Sequence, residues 1–361
     1  MTKKINKIAI EIALRNKGFS QARLAELLQV SREAVSKWIS GESFPRPDKL
    51  LKLGSTLDLK YQELVCEVHD SPPSFAFRFR ANIKQNAGDE ERARHIGELL
   101  VQLASCLRHP QFENLPTLKS PSCSTAYVEQ VCSSLREDMG LAQDAPISID
   151  ILLKKSRSLG IILVPVLWGK KDIRENALRI YLPNSHTTWI YLNLDSASCD
   201  FMFWFVHELG HAYAPSLTGE EGEIFADLFA QHLLYPTLRS KKLYKKLINV
   251  QSPGIIINKI IEEADGLQIS PITVYMSIEN YCKENSLPSL LPSSNPYPAF
   301  NKYCLEQETI AERYFGKSQL DVADYLIKSK EIFGADFFDA LKKLKETRTI
   351  PQGFIQQVTQ M

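Results

Sequence analysis

The sequence predicts an α+β fold: an all-α N-terminal domain, then a domain with a small twisted sheet and helices, then a helical C-terminal region. Three observations support this prediction. Two short capped helices flank a turn near residue 29, three strand-like apolar runs lie between residues 161 and 193, and helical periodicity dominates much of the remaining chain. We expect domain boundaries that give segments 1–65, 66–140, 141–285 and 286–361.

The composition is that of an ordinary soluble protein, with 361 residues, 44% hydrophobic and 24% charged. Glu11 interrupts the first apolar run, and no run approaches the length of a membrane span, so we expect neither a signal peptide nor a membrane partner. The seven cysteines form no C-x-x-C pair and are odd in number, which favours reduced thiols in a cytoplasmic protein.

The N-terminal domain is basic and carries the first motif. Residues 1–65 hold 12 Lys and Arg against 7 Asp and Glu, a net charge of +5, whereas the rest of the chain carries −4. Ser20 caps a predicted helix over 21–28, and Ser31 caps a second helix. The tight turn between them is at Gln29. Two short helices across such a turn form a helix-turn-helix unit, and the positive charge favours an anionic partner.

The stretch SQARLAELLQVSREAVSKWISGESFPRPDKLLKL resembles an XRE-type DNA-binding domain, over about residues 5–65. Gln29 stands where these domains usually carry Gly. The resemblance implies that the second helix enters the major groove of a double-stranded DNA operator, with the protein bound as a monomer or homodimer. The implied base- and phosphate-contacting positions are Gln21, Arg32, Glu33, Ser36 and Lys37. The alternative is a helical face that is only solvated. Trp38 and Ile39 are expected in the core.

The segment 66–140 is predicted to be a linker and a helical connecting region. Residues 70–74 interrupt helical periodicity, and residues 75–80 alternate like a strand that docks on the next domain. Helices are predicted over 89–108 and 125–139, with a Pro/Ser-rich loop over 110–124.

The predicted sheet follows a helix over 149–159 that ends at Gly160. Its strands are expected at 161–166, 177–182 and 188–193. We expect Trp189–Leu192 to lie at the edge of the sheet, where it could pair with an extended peptide. Beyond Pro236, helices are predicted over 255–264, 270–285, 299–314, 318–329 and 334–346.

The second motif is H-E-x-x-H, formed by His207, Glu208 and His211. Residues i and i+4 share one face of a helix, so both imidazoles can bind one metal ion while Glu208 acts as a base beside it. Catalytic zinc has three protein ligands and keeps a position for water. The apolar lead-in over 201–206 would bury this helix, and Gly210 would let a neighbouring element approach it.

The third ligand is expected from the acidic cluster Glu220, Glu221 and Glu223. We predict Glu223, because it begins a helical pattern with apolar residues at i, i+3 and i+4 spacing. Asp227 follows one turn later. A carboxylate at that position can accept the second N–H of a ligating histidine and fix its tautomer.

The residues HELGHAY, followed by E-x-x-A-D-x-F-A-x-x-L-L-x-P, resemble the ImmA/IrrE family of metallopeptidases. These are gluzincin-like proteins, often fused to or encoded beside helix-turn-helix repressors. The resemblance implies that His207, His211 and Glu223 bind zinc and that Glu208 is the catalytic base. Phe225 stands where many members carry a second Glu, a departure that bears on substrate preference more than on the metal.

Two functions are compatible with these patterns. The first is a DNA-binding regulatory zinc metalloendopeptidase that hydrolyses a peptide bond in a protein substrate such as a repressor. The second is a transcriptional regulator whose peptidase-like domain senses a ligand or partner without proteolysis. The intact H-E-x-x-H favours the first, because a pure sensor has no need of Glu208.

Overall fold

The computed structural model describes residues 2–6, 9–10, 13–14, 17–40, 42–68, 74–77, 87–107, 116–169, 177–316, 322–347 and 353–359. The chain forms two compact units, Met1–Pro73 with Leu182–His186, and Ser74–Tyr181 with Thr187–Met361. No helix in these ranges combines the length and the apolar composition that a membrane crossing requires.

The first unit is a small helical domain with one pair of strands. Its elements are β1 (Thr2–Ile5), α1 (Gln21–Leu28), α2 (Arg32–Ser40), α3 (Pro47–Leu57), α4 (Tyr61–Leu64) and β2 (Val65–Val68). The two strands pair antiparallel. Apolar side chains from all these helices form one core, and Trp38 and Ile39 are buried in it, as predicted.

The turn between α1 and α2 has the predicted caps. Ser20 and Ser31 each accept a hydrogen bond of 3.1 Å at the side-chain oxygen from the backbone N–H three residues on. Gln29 has a φ of 54°, in the left-handed region that Gly occupies without steric cost, and its N–H donates to the carbonyl of Glu26. The backbone therefore explains why Gly is usual here, and Gln adopts the same conformation.

The second unit combines one sheet with many helices. Up to residue 234 its elements are β3 (Ser74–Phe77), α5 (Ala87–Ala104), α6 (Thr125–Asp138), α7 (Ile149–Ser158), β4 (Ile162–Val166), β5 (Ala177–Leu182), β6 (Thr187–Asn193), α8 (Ser198–Tyr213) and α9 (Gly219–Leu234). The remainder is α10 (Thr237–Leu247), α11 (Pro253–Leu267), α12 (Pro271–Glu284), α13 (Tyr297–Glu306), α14 (Ile310–Phe315), α15 (Val322–Phe333), α16 (Asp336–Thr347) and α17 (Phe354–Thr359).

The prediction of a single helix over 299–314 is wrong, because this stretch forms the two helices α13 and α14. Gln307 ends α13 in an extended conformation. Thr309 then begins α14 with a capping box, in which its hydroxyl accepts from the N–H of Glu312 and that glutamate accepts from the N–H of Thr309. Residues 318–321, where a further helix was predicted to begin, lie outside the described residues.

The sheet has the strand order β3-β5-β6-β4. β3 is antiparallel to β5, and β4 is parallel to β6 with Ile162 opposite Trp189. The prediction that Trp189–Leu192 forms the edge is therefore wrong, because β6 lies between two strands and is buried along its whole length. Residues 70–73 and 78–80, the rest of the predicted break and alternation, fall outside the described part of the chain.

The C-terminal region packs on this sheet. The indole N–H of Trp168 donates to the carbonyl of Thr359 at 2.8 Å, and the Tyr191 hydroxyl donates to the carbonyl of Val358 at 2.9 Å. One hydrophobic core includes buried residues from α6 through α15. The boundaries near 140 and 285 stay predictions of the sequence.

Helices α8 and α9 cross closely at Gly210, as its position in the motif helix predicted. A Cβ built on Gly210 would lie 3.0 Å from Cα of Ala226 and 3.2 Å from the ring of Phe229. The loop between the helices is anchored by its own contacts, since the N–H of Leu217 donates to the carbonyl of Ala214. The absence of a side chain at residue 210 thus sets the separation of the two helices.

Replacing Gly210 by Ala is expected to lower the free energy of unfolding by about 1–3 kcal/mol, because the added methyl group forces α8 and α9 apart. Gly266→Ala in α11 is the matched control, since a Cβ there meets nothing within 4 Å. It should be neutral or stabilising by up to about 1 kcal/mol. Denaturant unfolding followed by circular dichroism measures both variants, and equal effects would contradict the close crossing.

Candidate functional site

The H-E-x-x-H motif lies on α8 in the interior of the second unit. Side chains of the lead-in, among them Phe205 and Val206, enter the core, as predicted. Because the helix is covered on that side, His207, Glu208 and His211 are buried too. Buried polar side chains need partners, so the surroundings of these three residues decide what they can do.

The predicted ligands converge on one point. Nε2 of His207 and Nε2 of His211 are 3.0 Å apart, and the carboxylate of Glu223 on α9 lies 3.5 Å from the first and 3.3 Å from the second. Ligands about 2.1 Å from zinc in a tetrahedral site stand about 3.4 Å apart. The two imidazole nitrogens and the Glu223 carboxylate, whose Oε2 faces His207 and whose Oε1 faces His211, therefore lie about as far apart as neighbouring ligands of one zinc ion. We call these residues the His/His/Glu cluster.

Asp227 lies behind the cluster, where the sequence predicted it. Its Oδ1 is 3.1 Å from Nδ1 of His207. A carboxylate in this position accepts the Nδ1–H and leaves the lone pair of Nε2 directed toward the other two donors. Glu220 and Glu221, the alternative third ligands, are exposed in the first turn of α9 and do not belong to the cluster.

The electrostatics of the cluster favour a bound cation. Burial alone would raise the pKa of Glu223, but hydrogen bonds and charges from His207 and His211 lower it well below its usual range. The carboxylate is therefore ionised. It faces two imidazole rings whose nitrogens can donate lone pairs to a metal ion. Two imidazoles and one carboxylate are donor types that a divalent metal ion such as zinc accepts.

Glu208 lies beside the His/His/Glu cluster and is nearly as deeply buried as His207. It is 1% exposed, and its Oε2 has no hydrogen-bond partner among the described residues. Burial raises the pKa of Glu208, and the nearby charges of His211, His207 and Arg179 offset this only in part. A buried carboxylate oxygen without a hydrogen-bond partner is typical of a functional site.

Arg179 is a residue that the sequence analysis missed. It lies on β5, is 5% exposed, and its pKa is lowered to about 10 by burial, while the charge of Glu208 acts in the opposite sense. The signal was present, because a single cation interrupts the strand ALRIYL. Without the strand order, however, its face of the sheet and its proximity to Glu208 were not predictable.

His232 and Tyr235, at the C-terminal end of α9, face carboxylates outside the H-E-x-x-H motif. The Tyr235 hydroxyl is 3.5 Å from the carboxylate of Glu263, and Nδ1 of His232 is 3.8 Å from that of Glu129. Neither belongs to the His/His/Glu cluster.

The predicted DNA-contacting residues lie on the surface of the first unit. Arg32, Glu33, Ser36 and Lys37 are exposed on α2, and Gln21 is half-buried in the first turn of α1. Nζ of Lys37 is 2.8 Å from the carboxylate of Glu33. This hydrogen bond lowers the pKa of Glu33 and raises that of Lys37, so both stay charged near neutral pH.

Comparison with known proteins identifies the kind of domain that carries these residues. Residues 10–64 match the family model described as helix-turn-helix. Comparisons with curated proteins and with solved structures give no match. The helix-turn-helix match covers all five predicted contact residues and supports a DNA-binding transcription regulator that acts on double-stranded DNA.

Replacing Lys37 by Ala is expected to weaken binding to all DNA sequences, because a phosphate contact carries no sequence information. Gln21→Ala should instead relax discrimination at one base pair, by about 1–3 kcal/mol. Fluorescence anisotropy with duplexes selected from a random-sequence pool measures both effects over a range of salt concentrations.

Lys60→Ala is the charge-matched control, because Lys60 is exposed and lies outside α2. It should weaken binding less than Lys37→Ala. Affinity that does not fall with salt, or equal losses for the two lysine variants, would contradict a DNA contact by α2.

Proposed function

We propose that this chain is a DNA-binding transcription regulator whose second unit is a zinc-dependent endopeptidase acting on a protein such as a repressor. One observation carries the proposal, namely the convergence of two imidazole nitrogens and the carboxylate of Glu223 at 3.0–3.5 Å beside the buried carboxylate of Glu208. The resemblance of this stretch to ImmA/IrrE metallopeptidases supports the same function.

The residues present fit a zinc ion. Two imidazoles and one carboxylate are a ligand set that zinc peptidases use, and an orienting carboxylate such as Asp227 strengthens the histidine it contacts. The side chains of Glu223 and Asp227 are 37% and 31% exposed, so the cluster is open to solvent on the side of α9. Phe225 is buried and stacks on Phe229, so this departure from the resembled family lies in the core.

The chain supplies the proton transfers that peptide hydrolysis requires. Zinc, when bound, supplies a Lewis acid that lowers the pKa of a water molecule and polarises a carbonyl group. Glu208 accepts the proton of the attacking water and returns it to the nitrogen of the departing amine. The positive charge of Arg179 helps to keep Glu208 ionised in the interior, as a base must be.

The second candidate function is a regulator whose peptidase-like domain senses a ligand, metal or partner without proteolysis. The observation that favours it is the enclosure of Glu208, which is 1% exposed and thus shielded from bulk water. A base needs a water molecule within reach, so either the resting site opens when a partner binds or Glu208 does not act as a base.

Removing the third ligand is expected to release about one zinc ion per chain, because two histidines alone bind it too weakly. The variant is Glu223→Ala, and its zinc content is compared with that of the parent protein by mass spectrometry after exhaustive dialysis. Glu220→Ala, in the same turn of α9 but exposed, should keep the parent content. If Glu223→Ala kept it too, Glu223 would not be a ligand.

Glu208→Gln is expected to keep the zinc and the fold yet lose at least about 100-fold in cleavage rate, because an amide cannot accept the proton. Cut sites in a peptide library and in a candidate repressor can be read by mass spectrometry, with Glu220→Gln as the control. Cleavage by Glu208→Gln at nearly the parent rate would remove Glu208 from the mechanism. No cleavage by the parent, combined with normal promoter regulation by Glu208→Gln in cells, would favour the sensor.

A further inference from the structure

A second group of metal-ligating side chains lies in the same unit and has no part in the function proposed above. Cys199 and Asp200 stand in the first turn of α8, and Cys304 stands in the last turn of α13. Their donor atoms, two sulfurs and one carboxylate oxygen, all lie within 4.8 Å of one another. We call these residues the Cys/Asp/Cys cluster. Both thiols are buried.

The backbone, rather than the thiols, holds the cluster together. The N–H of Ser198 donates to the carbonyl of Glu308 at 2.9 Å, and the N–H of Ile310 donates to the carbonyl of Ser196 at 3.1 Å. An isolated bridge also pairs Ala197 with Thr309. The residues before α8 are thus tied to the residues after α13, so the donors are arranged in advance, which is what a specific metal site needs.

We propose that the Cys/Asp/Cys cluster is a binding site for a thiophilic divalent cation such as zinc, separate from the His/His/Glu cluster. Zinc binds sulfur at about 2.3 Å, so two thiolates in a tetrahedral site stand about 3.8 Å apart, within the span of these donors. Ser270, the buried residue before α12, has its hydroxyl 3.7 Å from Sγ of Cys304 and can donate a hydrogen bond to a thiolate there.

The two sites cannot share one ion. Cys199 and His207 are eight residues apart on the same helix, which corresponds to about 12 Å along its axis. An ion in the Cys/Asp/Cys cluster would therefore act as a clamp between the N-terminus of α8 and α13, two turns away from the H-E-x-x-H residues. Such a clamp would hold the start of the motif helix in place.

Cobalt(II) distinguishes the two sites by spectroscopy, because only thiolate ligands give an intense near-ultraviolet charge-transfer band. The full-length protein is stripped of metal under reducing conditions and titrated with cobalt(II). We expect about two cobalt ions per chain and a charge-transfer band that grows with one of them. Glu223→Ala should lose one equivalent and keep the band, whereas Cys199→Ser with Cys304→Ser should lose the band and one equivalent.

Cys282→Ser is the matched control, because Cys282 is equally buried but lies in α12, outside both clusters. It should keep the band and both equivalents. The absence of a charge-transfer band in the reduced parent protein and in Glu223→Ala would overturn the proposal, whether or not the cysteine variants fold. A band that persists in the double cysteine variant would overturn it as well. If Glu223→Ala bound as much cobalt as the parent protein, only the peptidase proposal would be contradicted.

Discussion

The close crossing of α8 and α9 is the constraint on which the second unit depends. Gly210 meets the backbone of α9 at Ala226, and only this approach brings Glu223 within 3.5 Å of both histidines on α8. The same crossing places Asp227 against His207. Two helices joined by a short loop thus provide every member of the His/His/Glu cluster together with the residue that orients it, and the core behind them fixes their separation.

This arrangement places charge in the interior, where it is costly. Glu208 and Arg179 are both buried. Burial raises the pKa of Glu208 and lowers the pKa of Arg179, which favours the neutral form of each. The charge of Glu208 opposes the effect of burial on Arg179, and the charges of His211, His207 and Arg179 oppose the effect of burial on Glu208. Proteins tolerate such groups when the surrounding apolar packing is extensive, and here aromatic residues of α8 and α9 provide it. A polar cluster kept at this cost is evidence of function rather than of stability.

The parts of the site that depend on neighbouring residues in the sequence were predicted. The parts that depend on pairing between distant segments were not. Helical spacing placed His207 and His211 on one face, and the helical pattern that begins at Glu223 selected it from its acidic neighbours as the third member. The position of β6 was mispredicted because strand order depends on pairing between distant segments, which periodicity does not encode. Arg179 and the Cys/Asp/Cys cluster are non-local for the same reason, since their members come from elements far apart in the chain.

In the first unit, we expect attraction to DNA and discrimination between DNA sequences to depend on different residues. On α2, the helix predicted to enter the major groove, Glu33 forms an ion pair with Lys37, so the positive charge of this lysine is offset by its own neighbour. The net charge of +5 over residues 1–65 therefore resides largely on lysines and arginines outside this pair. Attraction to the phosphate backbone depends on that wider distribution and falls with salt. The polar residues predicted to contact bases, among them Gln21, would then discriminate between base edges, where contact geometry matters more than charge.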